Sequence, residues 1–469
     1  MILNSFPFLV FFTVVFFIYW KISPKYQWLV LLLSGYFFYS TALPAYLILI
    51  ILSTVVNYFA SLAIASSTHH KKKYLLLAII FNLSALFIFK YFNFFTSTLN
   101  PDWKFLDWAL PLGISFYTLQ IVGYLLDIYS DKIKPEKKLR FFALFHCFFP
   151  QLSAGPIERG HTLLPQLKKQ KVFNYAKVSS GIKLFTYGLF KKLVIADNLG
   201  IIVDRVFGSL PDYKGLSLII VTIFYTWQIY MDFSGYTDMA RGIARALGID
   251  LLENFNLPYF ATSVRDFWRR WHISFSSWLR DYVYIPLGGS RVRLPRIILN
   301  TLIVFAVSGL WHGAAWTFVI WGILHGVAIT LERITKYLLR RDFLIPKFIK
   351  IFYAYILISI FWIFFRAQSL SDALYIIRNS FVGLKNIFLP DYIWATLNQV
   401  FIFNQAEMAI TFIIFFIAVS AEFIRTNSSL YQILNRQPVL VRYAFYIIVV
   451  FIILQFRISD IKEFIYTKF

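Results

Sequence analysis

The chain has 469 residues, of which 59% are apolar, 20% aromatic and only 15% charged, against about 45–50% apolar and about 25% charged in soluble domains. Phenylalanine alone supplies 53 positions; one soluble core cannot hide so much apolar surface, and disordered chains are poor in aromatics. Both classes are excluded, and the composition reads as a polytopic membrane protein, all-α if its spans are helical, whose formal charge of +23 reflects cytoplasmic loops facing anionic lipid rather than nucleic-acid binding.

A span takes about 20 apolar residues, fewer where it tilts or ends in interfacial aromatics. Phe6–Trp20 has no basic stretch before it and no small-x-small cleavage site after it, so it reads as a retained first span rather than a signal peptide. Trp28–Tyr39, Tyr46–Ala65, Tyr74–Phe89 and Leu110–Tyr129 follow. The loops after the first, third and fifth spans are basic: Lys21 and Lys25, then His69 to Lys73, then Asp131 to Arg140. The loops between carry few cations, so the positive-inside rule puts the N-terminus outside and these three loops in the cytoplasm.

From Phe141 to Arg296 the pattern degrades, with short apolar runs broken by charges and by Pro150, Gly155-Pro156, Pro165, Pro258 and Pro286 to Gly289. Only Gly181–Ala196 and Leu216–Phe233 are clean spans there. Irregular backbone at membrane depth is tolerated when it is buried in protein or lines a wet cavity, so a site is expected in this stretch. Apolar helices return at Ile297–Leu310, Trp316–Ile329, Phe348–Phe365, Ala406–Phe423 and Tyr443–Phe456. The expected organisation is one integral-membrane domain over 1–469, with N-terminal helices over 1–130, a core over 131–345, and C-terminal helices and a tail over 346–469.

The single cysteine, Cys147, forbids an intrachain disulfide and any cysteine-based metal site. Of seven histidines, His69 and His70 sit in a basic loop, and His146 and His161 flank the turn-rich Pro150–Arg159 segment and read as structural. His312 lies between two strongly apolar runs, and an ionisable group at such depth is a functional candidate by default. Gly309, Gly313, Ala314 and Ala315 leave room beside it, and Trp311 and Trp316 are placed to wall a cavity. Imidazole titrates near neutral pH and can take a proton from a hydroxyl; the alternative is a histidine that packs helices.

His272 stands in Asp266–Arg280, where Arg265, Arg269, Arg270 and Arg280 among Trp268, Trp271 and Trp278 suggest an amphipathic interfacial element. Interfacial anchoring does not account for His272 beside Ser274, Ser276 and Ser277. His325 follows His312 by thirteen positions, about 220° around an ideal helix, so the two are not expected to share a face. In Tyr230–Arg241, Asp232, Asp238 and Arg241 suggest a buried ion pair, with Gly235 breaking or bending the helix.

Five blocks occur in order: Leu110–Tyr117, Phe149–Ile157, Met231–Asp238, Asp266–Ser276 and Gly309–Gly322. Together they resemble the membrane-bound O-acyltransferase (MBOAT) family, in particular its alginate O-acetyltransferase branch. The resemblance implies about 11–12 transmembrane helices, plus re-entrant or amphipathic helices, around a central channel with a funnel toward each face. It implies that His312 is catalytic and that His272 is a second signature residue. Because many eukaryotic relatives have Asn at the latter position, His272 need not move a proton and is expected to position or polarise. Phe464–Phe469 resembles an aromatic–x–Tyr–aromatic–x–Phe ending found on related acyltransferases or their small partner peptides, which makes Tyr466 an acyl relay; Thr467 and Lys468 depart from that pattern. An interfacial aromatic anchor is the other reading of this tail.

The activity so implied is acetyl transfer from a cytoplasmic thioester such as acetyl-CoA, a donor substrate rather than a tightly bound cofactor. The final acceptor is an extracytoplasmic polysaccharide, alginate-like or peptidoglycan, reached through an SGNH-hydrolase-like acetyltransferase partner outside the bacterial inner membrane. The rivals are D-alanyl transfer to teichoic acid from a carrier protein, a transporter or lipid flippase, and a haem or metal protein using His312 and His325.

Overall fold

The computed structural model describes residues 1–455 apart from 101, 104, 107, 340–344, 403, 427–432 and 435, so Tyr466 and the whole Phe464–Phe469 tail lie outside the described residues. The described residues form helices joined by turns and loops, without a strand. Each apolar run expected to span falls on a helix over most of its described residues, and seven of these helices are long and apolar enough to cross a membrane by length and composition alone. Two shorter apolar helices, Phe6–Lys21 and Val439–Gln455, accompany them.

The first helix shows why these segments fold as they do. Ser5 caps it by accepting the Phe8 N–H, Pro7 occupies a first-turn position where no N–H is needed, and Lys21 sits in the last turn. Phe8, Val15 and Tyr19 face protein, whereas Phe6, Val10, Val14 and Phe17 are left exposed on the other side. An apolar residue costs nothing on a face turned to lipid, and a helix apolar all round belongs in a bilayer.

The chain divides into two compact units, each assembled from separate stretches. The first comprises Met1–Phe185, Tyr236–Glu253 and Ser274–Leu287. Its centre is the Ile114–Tyr129 helix, buried at every position except Leu126 and Tyr129, and packed against the Leu47–Ser66 and Lys71–Leu86 helices. The short helices Leu139–Cys147 and Gly160–Lys168 belong to this unit, as does His146, whose Nδ1 is 2.9 Å from the Thr54 hydroxyl in a buried bond of structural character.

The second unit comprises Thr186–Gly235, Asn254–Ile273 and Gly288–Phe469. It contains the hairpin of Leu294–His312 and Trp316–Leu339, the Lys347–Arg366 helix against it, and the Gln405–Arg425 helix. The Leu216–Ala246 helix is 72% buried over its most apolar stretch, against 28% for Lys71–Leu99. Such a contrast separates a helix enclosed by protein from one facing lipid. The helix runs unbroken through Gly235, contrary to the break expected there. A Cβ at Gly235 would stand 2.8 Å from the Gly188 carbonyl oxygen, so the missing side chain serves close helix packing instead.

Candidate active site

His312 is the last residue of the Leu294–His312 helix, and Gly313 beyond it is extended, with φ −160° and ψ 148°. The chain reverses within Gly313–Ala315 and returns as Trp316–Leu339. Two glycines let the arms of this hairpin close on each other. A Cβ on Gly309 would lie 2.2 Å from the Phe318 carbonyl oxygen, and one on Gly322 would lie 2.1 Å from that of Phe305. Small residues at such a seam allow backbones to approach.

The hairpin seats the His312 imidazole, 2% exposed, in an aromatic socket. Trp321 stands edge-on at 4.9 Å between ring centroids, Trp311 at 5.0 Å and Phe365 at 5.5 Å. Trp316, expected to wall this cavity, is 52% exposed; Trp321, further along the same helix, takes that place. Trp362 and Phe365 of the Lys347–Arg366 helix complete the socket, with centroids 5.5 Å and 5.0 Å from Trp321. Nothing in the sequence around His312 pointed to these two residues.

His272 arrives by a different device. Ser263 caps the Val264–Arg270 helix by accepting the Asp266 N–H, and the Trp271 N–H closes it on the Phe267 carbonyl at 2.8 Å. His272 then adopts φ +43°, a left-handed conformation in which histidine is among the few enriched non-glycine residues. A strap over Asn254–Asn256 holds the turn: the Asn254 carbonyl accepts the Ile273 N–H at 3.0 Å, and the Arg270 carbonyl accepts the Asn256 N–H at 2.9 Å. The His272 ring is fully buried, 4.7 Å from Phe233, 5.9 Å from Trp311 and 6.4 Å from His312.

The structure thus brings together the two histidines singled out from the sequence, forty positions apart. It alters the reading of their neighbourhood. Trp268, Trp271 and Trp278 are buried in protein while Arg265, Arg269 and Arg280 are exposed, so the segment is amphipathic but its tryptophans are packing residues rather than lipid anchors. Ser274 turns its hydroxyl to the Ile157 N–H, 3.0 Å away.

His325 corrects another expectation. The angular offset from His312 presumed one continuous helix, but the reversal at Gly313–Ala315 puts the two histidines on separate arms. Both rings meet Trp321 at 4.9 Å. The Trp268 indole N–H donates to His325 Nδ1 at 3.1 Å, which leaves the proton of a neutral imidazole on Nε2. Among the described residues, Nε2 of His325 and the indole nitrogens of Trp321 and Trp362 have no hydrogen-bond partner although all three side chains are fully buried.

The Tyr230–Arg241 cluster divides in two. Arg241 pairs with Asp238 at 3.5 Å and with Glu253 at 3.2 Å. Asp232 pairs instead with Lys192, at 2.6 Å, and the same ammonium reaches Asp197 at 2.9 Å, all three groups almost fully buried. Lys192 is not singled out from the residues, because it lies inside the apolar run Gly181–Ala196 that reads as a clean span. Its Phe190–Ala196 segment is a π-helical widening, a local feature that hydropathy does not register. Among the described residues no three His, Cys, Asp or Glu side chains converge as a metal-ligand set.

The all-helical chain, with two imidazoles in one aromatic socket, is an integral-membrane O-acyltransferase by its family: it belongs to the MBOAT family, whose model, described as "MBOAT, membrane-bound O-acyltransferase family", matches residues 33–371, which include both histidines. It is 38% identical over 400 residues to the peptidoglycan O-acetyltransferase of Helicobacter pylori, covering 78% of this chain and 76% of that one. It is 37% identical over 388 residues to the probable alginate O-acetylase AlgI of Azotobacter vinelandii, covering 80% and 76%. It is 29% identical over 253 residues to the teichoic acid D-alanyltransferase of Bacillus subtilis, covering 50% and 64%.

Proposed function

We propose that the protein moves an acetyl group from a cytoplasmic thioester, acetyl-CoA, through the membrane for O-acetylation of an extracytoplasmic polysaccharide, peptidoglycan or an alginate-like exopolysaccharide. The observation that carries this reading is the 6.4 Å approach of the buried His272 and His312 rings inside the family-matched segment. His312 acts as general base, taking the proton of the acceptor hydroxyl as that oxygen attacks the thioester carbonyl. The C–S bond breaks, and the proton passes from His312 to the leaving thiolate. His272, on the facing turn, polarises or positions the acyl group. The Trp321 indole N–H, which has no protein acceptor among the described residues, is a donor for the developing oxyanion.

Tyr466 serves as the acyl relay in this scheme, handing the acetyl group to an SGNH-hydrolase-like acetyltransferase outside the cell. An N-terminus outside and an even number of full spans would place the tail where that partner works. Basic loops after the first, third and fifth spans support a cytoplasmic donor side in the bacterial inner membrane. The two relatives named for O-acetylation resemble this chain over more of its length than the D-alanyltransferase does, which favours acetyl over D-alanyl transfer.

His312→Ala tests the assignment. Ester acetate released by mild alkali from the isolated glycan should vanish while the protein remains in the membrane at its normal level; undiminished acetylation would falsify the catalytic role. Tyr466→Phe keeps the ring and removes only the nucleophile, so it should abolish acetylation if the tail relays the acyl group and leave it unchanged if the tail is an anchor.

A further inference from the structure

The Gln405–Arg425 helix lies beyond the family-matched segment 33–371, yet it carries a buried charge. Its most apolar stretch is only 22% buried, but Glu422 is 1% exposed. A buried carboxylate is costly and persists where partners satisfy both oxygens. One oxygen accepts from Arg425 at 2.6 Å, an i,i+3 pair on the same helix. The other accepts the Tyr230 hydroxyl at 2.7 Å, from the Leu216–Ala246 helix.

Tyr230 is part of the wall behind His272. Its fully buried ring stands 5.3 Å from Tyr259, 5.8 Å from Phe255 and 6.1 Å from Trp271. Trp271 immediately precedes His272 and packs on Phe255 at 4.9 Å; Phe255 packs on Phe233 at 5.0 Å, and Phe233 packs on His272 at 4.7 Å. The path from the carboxylate to the His272 turn is therefore one hydrogen bond and a few rings in contact. That turn needs support. A histidine held at φ +43° is strained, and such conformations persist when their surroundings over-determine them. Arg425 alone would satisfy part of the Glu422 charge; the second oxygen is committed to Tyr230, whose ring is in that wall.

We propose that Glu422 and Arg425 are positioning residues for the acyltransfer site, acting through the Tyr230 hydroxyl to hold the Trp271–His272 turn. This makes the C-terminal span a working part of the enzyme. The inference rests on the reading of His272 and His312 given above.

The test compares Tyr230→Phe, Glu422→Gln and the double variant in the full-length protein. Glycan-bound acetate is measured per molecule of folded protein recovered as a monodisperse peak in detergent. Each single change should lower acetylation about tenfold at normal protein recovery, and the double change should fall no further, because both remove the same brace. Glu422→Gln/Arg425→Gln, which removes both charges together, guards against misfolding from an uncompensated arginine and should also lose about tenfold. Losses that multiply to about a hundredfold in the double variant, or that track recovery alone, would assign the cluster a purely structural role and overturn the proposal. Full activity in Tyr230→Phe alongside an inactive His312→Ala would overturn it too, leaving the reading of the site intact. Full activity in His312→Ala would remove the reading itself and this inference with it.

Discussion

Placing an alanine at Gly309 tests whether the tight hairpin is what seats His312. The new Cβ would stand 2.2 Å from the Phe318 carbonyl oxygen and 3.0 Å from its carbon. Ordinary contact begins at 3.4 Å, so relief takes more than ~1 Å of separation between the arms, because the obstacle is backbone that cannot rotate away. Overpacking of this kind costs about 1–3 kcal/mol of stability, tolerable for a protein with many other helix contacts. Its effect on function should be larger. Trp321 and His312 sit on opposite arms with 4.9 Å between their rings, and a 1 Å misplacement of reacting groups can cost about a hundredfold in rate. Acetylation should therefore fall by about ten- to a hundredfold in Gly309→Ala. Two further alanines calibrate the result. At Gly326 the nearest atoms are the Phe305 Cβ at 3.2 Å and the Leu302 Cδ2 at 3.3 Å, so a shift of about a few tenths of an ångström relieves the contact and the loss should be severalfold at most. At Gly208 nothing lies within 4 Å, and activity should stay at the wild-type level. The assay is glycan-bound acetate per unit of membrane protein across the three variants. Equal activity at Gly309 and Gly208 would refute the idea that hairpin closure places the base.

Two other perturbations probe the supporting charges. Burial pushes the Glu158 carboxyl up to about 7, even though the Leu252 N–H, the Thr162 hydroxyl and two arginines draw it down. Its folded-state value lies above its unfolded value of 4.5, so its contribution to stability is fully present below about 4.5 and is lost as pH rises through 7. The loss is about 3 kcal/mol, read as a falling melting midpoint in detergent; Glu158→Gln should flatten that dependence, and an unchanged slope would show that other groups cause it. Lys192→Met would strand two buried carboxylates that now share one ammonium, a class of change that costs about 3–5 kcal/mol. It should sharply lower membrane-integrated protein, and normal levels with a normal melting midpoint would mean that the cluster is hydrated or neutral.

How much of this architecture could be read from the residues depends on how local the signal is. Each of the twelve apolar runs lands on a helix because hydropathy is summed along a segment and does not ask what the segment touches. The degraded stretch from Phe141 to Arg296 likewise resolves into short helices such as Leu139–Cys147, Gly160–Lys168 and Val264–Arg270, where proline, glycine and charge interrupt the runs. Helix length within the hydrocarbon is less legible. Among the described residues seven helices satisfy length and composition unaided, whereas a segment such as Phe6–Lys21 stops at sixteen residues, a length that would span only with tilt and flanking aromatics.

At the site, the division falls between chemistry and company. His312 and His272 stood out because an imidazole inside an apolar or aromatic run is conspicuous wherever it folds. Their partners did not, because aromatic residues fill one position in five of this chain and no local pattern distinguishes the ones that converge. Trp316 and Trp321 are five positions apart on one helix, and hydropathy cannot tell that the first faces outward while the second meets two histidines. The 220° offset between His312 and His325 misled for a related reason: it carried a helical phase across Gly313–Ala315, where the backbone reverses. The same blindness applies to charge. A glutamate at position 422 in an apolar helix announces that something must satisfy it, but the tyrosine that does so lies 192 residues earlier. Burial turns such a residue from a statistical oddity into a constraint: the carboxylate must have its partners in place before it can be enclosed.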